Sequence, residues 1–145
     1  MSQLYLFATL AGTRIAVRSQ EVEAVVKLTE ISPVPGMGAH VAGLSALRSR
    51  VLTIVDAAAL IDGCATPVER RGLAIICNVA GHSYGMMVDA IADICSVEEG
   101  ELPIRGRIDV AWAPYAHAIV ECAGEPHLLV TLARFIEGAS MPHAA

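Results

Sequence analysis

The sequence has few of the residues that bind nucleic acids or hold metals. Only ten of its 145 residues are Lys or Arg, against 15 Asp or Glu, which gives a net charge of −5. Binding to phosphates requires clustered cations, and Arg70-Arg71 is the one dense pair, so we expect no nucleic-acid partner. The four cysteines form no C-x-x-C motif. This spacing encodes neither a zinc site nor a disulfide framework and predicts reduced, mostly buried thiols.

Aromatic residues and long apolar runs are also scarce. Aromatics make up 4% of a chain that is 54% hydrophobic, so its core must consist mainly of Ala, Val, Leu and Ile. No segment offers about 20 uninterrupted apolar residues, and we therefore expect no direct membrane insertion. The first 12 residues lack the Lys or Arg that opens a signal peptide. These features together predict a cytoplasmic protein.

The sequence contains none of the familiar catalytic motifs. A glycine-rich phosphate loop, a GxSxG elbow and HExxH are all missing. The histidines show no ligand-like spacing; they are His40, His82, His117, His127 and His143. We therefore expect no catalytic residue, no cofactor and no metal, and we predict that the protein is not an enzyme.

An internal repeat is the most informative pattern in the chain. At an offset of 69, the stretch beginning at Leu4 aligns with the stretch beginning at Leu73, and at an offset of 75, Ile54 aligns with Leu129. The chain therefore contains two copies of the same sequence unit. At this length the two copies form one compact domain, residues 1–145. We divide it into subdomain one at about 1–69, subdomain two at about 70–138 and a frayed tail at 139–145, with a linker near residues 65–72.

Each unit begins with the pattern of a β-hairpin. Ala11-Gly12 and Ala80-Gly81 are turns between two strands, and alternation from Leu4 to Leu10 predicts that the first strand is half-buried. A third strand is expected at residues 25–31 and again at 94–97, followed by a Pro-containing loop, a strand and a short helix. Short strands separated by turns favour small β-barrels, here two lying side by side.

Residues 40–63 organise the first unit. Residues 51–55 form an apolar run of strand length, and we predict a buried strand. Residues 57–61 favour a helix, with Asp56 at its N-cap position. Gly63 is predicted to end this helix. Arg48 and Arg50 precede the strand and would share one of its faces. Thr131 occupies the repeat position of Asp56, which favours capping over catalysis at that position.

The order of these motifs resembles the CheW family of bacterial chemosensory adaptors. The family pattern of Val-x-Gly-Leu, Leu-Arg-Gly, an apolar strand and Asp is met by Val41, Gly43, Leu44, Leu47, Arg48, residues 51–55 and Asp56. Residues 31–36 match its isoleucine-x-proline-valine-proline run, and Gly85, Val88 and Asp89 match its second hairpin. The resemblance extends from about residue 4 to 138.

This resemblance implies a fold and a set of partners. The fold would be all-β with short helices, as two five-stranded barrels packed around a shared core. The partners would be the cytoplasmic tip of a methyl-accepting chemoreceptor and a CheA-type histidine kinase, in a protein recruited to receptor arrays. Receptor tips would dock in the groove between the barrels, and the kinase at the barrel ends. Carried over by motif, the receptor groove comprises Val22, Gly43, Leu44, Leu47, Arg48, Leu73 and Gly85.

Several alternatives stay open at this level. Arg48 could contact a partner or pair internally with Asp56 or Glu30, and Gly43 and Gly85 could serve the backbone. The chain departs from the family pattern at Ala24, Ala46, Ser49 and Ala57-Ala58, which could change its partners. The adaptor could therefore serve a non-flagellar pathway of motility, biofilm formation or development. A small ligand-binding or enzymatic barrel that uses the cleft is the alternative from another class.

Overall fold

The computed structural model describes residues 3–34, 40–67 and 72–140. For residues 139 and 140 it describes only the backbone. Two α-helices and ten strands lie in these ranges. The strands are β1 (Gln3–Leu10), β2 (Thr13–Arg18), β3 (Ala24–Lys27), β4 (Val41–Leu47), β5 (Arg50–Val55), β6 (Leu73–Val79), β7 (His82–Val88), β8 (Ala90–Val97), β9 (Ala116–Cys122) and β10 (Glu125–Val130). The helices are α1 (Ala57–Asp62) and α2 (Leu132–Ser140), and a 3-10 turn covers Ser19–Glu21. No helix in the described ranges has the length and apolar character needed to cross a bilayer.

The strands form two five-stranded sheets, which confirms the predicted all-β class with short helices. The first sheet has the order β8-β1-β2-β10-β9, and the second has the order β3-β6-β7-β5-β4. Among the described residues, neither sheet closes through a ladder between its two outer strands. Both hairpins turn where predicted, because Ala11-Gly12 and Ala80-Gly81 adopt the positive φ angles that tight hairpins require.

Each sheet draws strands from both halves of the chain. The first sheet joins the hairpin β1-β2 to β8, β9 and β10, and the second joins the hairpin β6-β7 to β3, β4 and β5. A boundary near residue 70 therefore separates the two sequence repeats but not the two sheets. The sheet topology differs in this respect from a division into subdomains at 1–69 and 70–138. The predicted frayed tail begins at 139, yet α2 extends to Ser140; residues 141–145 lie outside the described ranges.

The two sheets repeat the same pairings at the offsets found in the sequence. In the first sheet β2 and β10 are parallel, with Ile15 opposite Leu128. In the second sheet β7 and β5 are parallel, with Tyr84 opposite Thr53. Tyr84 lies 69 positions after Ile15, and Leu128 lies 75 positions after Thr53. The same two repeat positions therefore pair in both sheets. The repeat read from the sequence is thus a repeat in strand register.

The described residues form three apolar clusters. One cluster lies inside each sheet, and the largest lies between the sheets, beneath α1 and α2. This shared core combines Leu6, Leu10, Ile15 and Val17 of the first sheet with Ile75, Met86 and Val88 of the second. Strand β1 supplies both kinds of cluster, because Tyr5 and Phe7 point into the first sheet while Leu6 and Ala8 point between the sheets. Strand β1 is therefore buried on both faces, and the predicted half-burial is wrong.

The segment after β4 follows the sequence-based prediction closely. Asp56 caps α1 by accepting a hydrogen bond from the Ala59 amide at 3.2 Å, and Gly63 ends the helix with φ +79°. Burial of β5 is only partial, since Leu52 and Ile54 are buried whereas Val51 is 65% exposed. The third strand is also shorter than predicted, because β3 ends at Lys27 rather than near residue 31.

Candidate partner-binding site

The turn between β4 and β5 presents Arg48 to solvent. Arg48 has φ +57°, and its side chain forms no hydrogen bond or ion pair with any residue that the structure describes. Of the two internal partners considered, the Asp56 carboxylate accepts instead from Ala59 and from Thr66, whose hydroxyl lies 2.6 Å away. Glu30 contacts the β4 strand through its backbone carbonyl, which accepts from Ser45 Oγ at 2.8 Å. Arg48 is therefore available to an external acceptor.

The repeat explains the shape of this turn. Ala123 occupies the equivalent position in the second unit, also with positive φ, and it is followed by Gly124. A non-glycine residue in the left-handed conformation costs about 1 kcal/mol. Arg48 adopts this conformation despite the cost in free energy, and its cationic side chain lies at the tip of the hairpin.

A partly exposed apolar face adjoins Arg48. On β4 and β5, Leu44, Ala46, Val51 and Thr53 point away from the core of the second sheet, because they alternate with the buried Ser45, Leu52 and Ile54. We call Leu44, Ala46, Arg48, Val51 and Thr53 the β4–β5 surface. Ala46 and Val51 are exposed, while Leu44 and Thr53 are half-buried. Sequence reasoning missed Val51 by treating residues 51–55 as uniformly buried, although Thr53 signalled the alternation.

Leu47 and the two glycines of the predicted groove face the interior instead. Leu47 is half-buried against the cluster inside the second sheet. A Cβ on Gly43 would lie 2.3 Å from the Ser32 carbonyl oxygen, because residues 31–32 cross β4 there. A Cβ on Gly85 would lie 2.8 Å from Ile54 Cδ1 within the core. Both glycines are buried and shape the second sheet from within.

Val22 and Leu73 lie at the junction between the sheets, where both pack against the shared core. Val22 follows the 3-10 turn and lines a cavity of about 510 Å³ with Glu21, Cys77 and Leu132. Leu73 begins β6, opposite Lys27 and Val88. The seven predicted residues thus fall in three places: the β4–β5 hairpin, the interior of the second sheet and the junction. The structure does not gather them into one pocket.

Three ionisable residues line the cavity beside Val22: Glu21, Glu23 and Cys77. Burial raises the pKa of the Glu21 carboxyl, although the Leu132 amide opposes that shift by donating to Oε1 at 2.9 Å. Burial raises the pKa of the Cys77 thiol to about 12, so the thiol is protonated at neutral pH and a poor nucleophile. In the described part of the chain no cluster of His, Cys, Asp and Glu could hold a metal ion. This arrangement favours structure over catalysis.

Arg50 does not share a face with Arg48, contrary to the sequence-based prediction. Its guanidinium pairs with Glu23 and donates to Ser83 Oγ at 3.4 Å, while the Asn78 amide donates to Glu23 at 2.7 Å. The hydrogen bond from Arg50 holds the pKa of the Glu23 carboxyl below its ordinary value. This network links β5, β6 and β7 to Glu23, the residue before β3, at one end of the second sheet.

A second network lies at an end of the first sheet. Arg18 donates two hydrogen bonds to Glu101, at 2.7 and 2.6 Å, and the Tyr5 hydroxyl donates to the same carboxylate at 3.1 Å. The Arg18 hydrogen bond is the main reason why the pKa of Glu101 lies below its ordinary value. Both networks pair their arginines internally, whereas Arg48, like Lys27, Arg105 and Arg107, has no hydrogen-bond or ion-pair partner among the described residues.

Comparison with known proteins identifies relatives of this fold and sequence. Residues 4–140 match the CheW-like domain family. The Chemotaxis protein CheW of Rhizobium meliloti (strain 1021) is 34% identical over 74 residues, which cover 51% of this chain and 48% of that protein. The match therefore spans about half the length of that relative. The crystal structure of the scaffolding protein TtCheW from Thermoanaerobacter tengcongensis superposes with a TM-score of 0.79 at 20% identity, covering 97% of this chain and 98% of that one.

Proposed function

The chain belongs to the CheW family, whose members are non-catalytic scaffold proteins of chemotaxis, and we propose that it joins a chemoreceptor tip to a CheA-type histidine kinase. The family match covers nearly the whole chain, and the fold is that of a solved scaffolding protein. The receptor and kinase are partners that we infer from the family.

The observation that carries this proposal is that Arg48, which has no hydrogen-bond or ion-pair partner in the described ranges, lies beside a partly exposed apolar face. Arginine is enriched at protein interfaces because its planar guanidinium can make several oriented hydrogen bonds to carboxylates or backbone carbonyls. Val51 and Leu44 supply apolar area next to it. A cation surrounded by apolar residues is a typical interface hot spot. We therefore propose the β4–β5 surface as one contact region, with Arg48 as its anchor.

The rest of the predicted receptor groove contributes in two ways. We propose that Val22 and Leu73, at the junction of the sheets, contact the receptor directly. Gly43, Gly85 and Leu47 then act indirectly, by fixing the strands that carry the β4–β5 surface. We propose kinase contact at the ends of the two sheets, as the family resemblance implies.

The proposed mechanism is geometrical. The shared core joins both sheets into one packed body, so two partners bound to it are held at a fixed separation. Binding of the second partner is then effectively intramolecular, which can raise apparent affinity by about 10²–10⁴ without any new contact. No chemical step is required of the adaptor.

Reversal of the charge at Arg48 tests the proposal. We expect Arg48→Glu to reduce co-sedimentation with receptor-containing membranes at least about 10-fold, because an anion replaces the anchoring cation. The thermal melt followed by circular dichroism should change little, since Arg48 is exposed and its side chain forms no hydrogen bond or ion pair with the described residues. Arg107→Glu is the matched control, because Arg107 is an exposed arginine on the loop between β8 and β9.

Undiminished receptor binding by folded Arg48→Glu protein would remove Arg48 from the site. A pull-down from the native cell, with proteins identified by mass spectrometry, tests the wider proposal. Recovery of a receptor and a histidine kinase would support it, and recovery of neither would contradict it.

A further inference from the structure

The two outer strands of the first sheet each carry a cysteine on the side that faces the sheet's own core. Cys95 lies on β8 and Cys122 at the end of β9, and both strands are terminal in the order β8-β1-β2-β10-β9. Both side chains pack against the cluster formed by Tyr5, Phe7 and their neighbours. The curvature of the sheet therefore brings its two free edges together at these residues.

The two thiols lie in the same neighbourhood. Cys95 and Cys122 pack against the same apolar cluster, on strands that approach each other, although they lie 27 positions apart in the sequence. Both are half-buried rather than fully enclosed. Of the four cysteines only Cys77 is buried, so the prediction of mostly buried thiols is wrong. Cys64 is exposed and belongs to none of the three apolar clusters.

We propose that Cys95 and Cys122 form a redox-sensitive pair whose oxidation to a disulfide covalently closes the first sheet. The oxidant is a hydroperoxide such as hydrogen peroxide. One thiol is oxidised to a sulfenic acid with loss of water, and the sulfur of the second thiol then attacks it, forming the S–S bond and releasing a second water. The net reaction converts two thiols and one peroxide to one disulfide and two waters.

The surroundings set how readily this reaction occurs. Partial burial, the Asp93 carboxylate and Cys122 together raise the pKa of the Cys95 thiol. A protonated thiol reacts slowly with peroxide, so the pair reacts slowly near neutral pH and faster at alkaline pH. The bond would replace the missing ladder between β8 and β9 with a covalent link across the sheet opening.

Oxidation of the purified full-length protein tests the pair directly. We expect hydrogen peroxide to lower the number of titratable thiols from four to two per chain while the protein remains monomeric on non-reducing gels. Peptide mapping by mass spectrometry should then show a crosslinked peptide containing Cys95 and Cys122. Because the link closes a long loop, the Tm should rise by about 5 °C or more and return on reduction.

Single-cysteine variants supply the controls. Cys64→Ser should still form the crosslink and show the Tm rise, whereas Cys122→Ser should do neither. Detection of no 95–122 crosslink in the oxidised wild type, or of crosslinks through Cys64 between chains in its place, would overturn the proposal. Because the mapping uses the wild type, this result does not depend on the folding of any variant.

Discussion

Two buried glycines show, at the scale of single residues, how closely the second sheet is packed. Gly43 has φ +145° and lies under the Ser32 backbone, while Gly85 faces the side chains of Ile54 and Ile76. An added methyl group would overlap rigid backbone at Gly43 and a branched side chain at Gly85. The positions that carry the family motif are therefore constrained by packing as well as by any partner.

Substitution of Gly85 tests this constraint. We expect Gly85→Ala to lower the free energy of unfolding by about 1–3 kcal/mol, because its Cβ would lie 2.8 Å from Ile54 Cδ1 and the core must shift. Urea denaturation gives the measurement. Gly72→Ala is the control, since a Cβ there meets no atom within 4 Å, and it should change stability by less than about 0.5 kcal/mol. Equal effects of the two variants would argue against the packing explanation.

At the scale of elements, the N-terminus of α2 is capped from elsewhere in the chain. The repeat predicts Thr131 as the cap, yet the Thr131 hydroxyl lies 2.9 Å from His117 Nε2 instead. Glu21, from the 3-10 turn after β2, accepts the Leu132 amide hydrogen at 2.9 Å. A carboxylate near a helix N-terminus is favoured by the unpaired amides and the helix dipole. Glu21 thereby connects the first hairpin to the last helix.

Replacement of Glu21 tests the cap and its charge. Glu21→Ala should destabilise the protein by about 1 kcal/mol, because the Leu132 amide loses its acceptor. Glu21→Gln keeps an acceptor oxygen and should cost less. Burial raises the folded pKa of Glu21 above 4.5, so the stability of the wild type relative to Glu21→Gln should fall as the pH rises from below 4.5 to 7. Denaturation at several pH values measures this difference, and a pH-independent difference would contradict the assignment.

Sequence patterns predict individual elements well because the signals of strands and turns are local. The two Ala-Gly turns, the Asp56 cap and the Gly63 helix end all depend on residues within a few positions of one another. The Glu21 cap links residues 111 positions apart, and the proximity of Cys95 and Cys122 depends on how the sheet curves. Neither has a local signature. The sequence predicts that Val51 is buried, because the apolar character of a strand residue does not show which face of the sheet the core covers.

At the scale of the whole molecule, α2 and the loop between β8 and β9 hold the two sheets together. Phe135 is fully buried in the shared core, where it stacks on Tyr115 with ring centroids 4.2 Å apart and meets Trp112 edge-on at 6.3 Å. The same cluster includes buried residues from both sheets. Loss of this contact should therefore weaken both sheets at once.

A truncation at Phe135 tests this cooperativity. Phe135→Ala should lower the free energy of unfolding by about 3–5 kcal/mol, and Phe135→Leu, the conservative control, should lower it much less. Fluorescence of Trp112, the single tryptophan, reports on the junction, whereas far-UV circular dichroism reports on all strands. The two signals should change in one coincident transition. Two separate transitions would show that the sheets unfold independently.

The exchange of strands between the two halves has a consequence during synthesis on the ribosome. The hairpin β1-β2 emerges first, but its neighbours β8, β9 and β10 lie in the last 56 residues of the 145-residue chain, between Ala90 and Val130. The first sheet can be completed only after most of the polypeptide has been translated. Until then the apolar faces of Tyr5, Phe7 and Leu6 lack their final cover, so the nascent chain should be a substrate for chaperones that bind exposed hydrophobic segments.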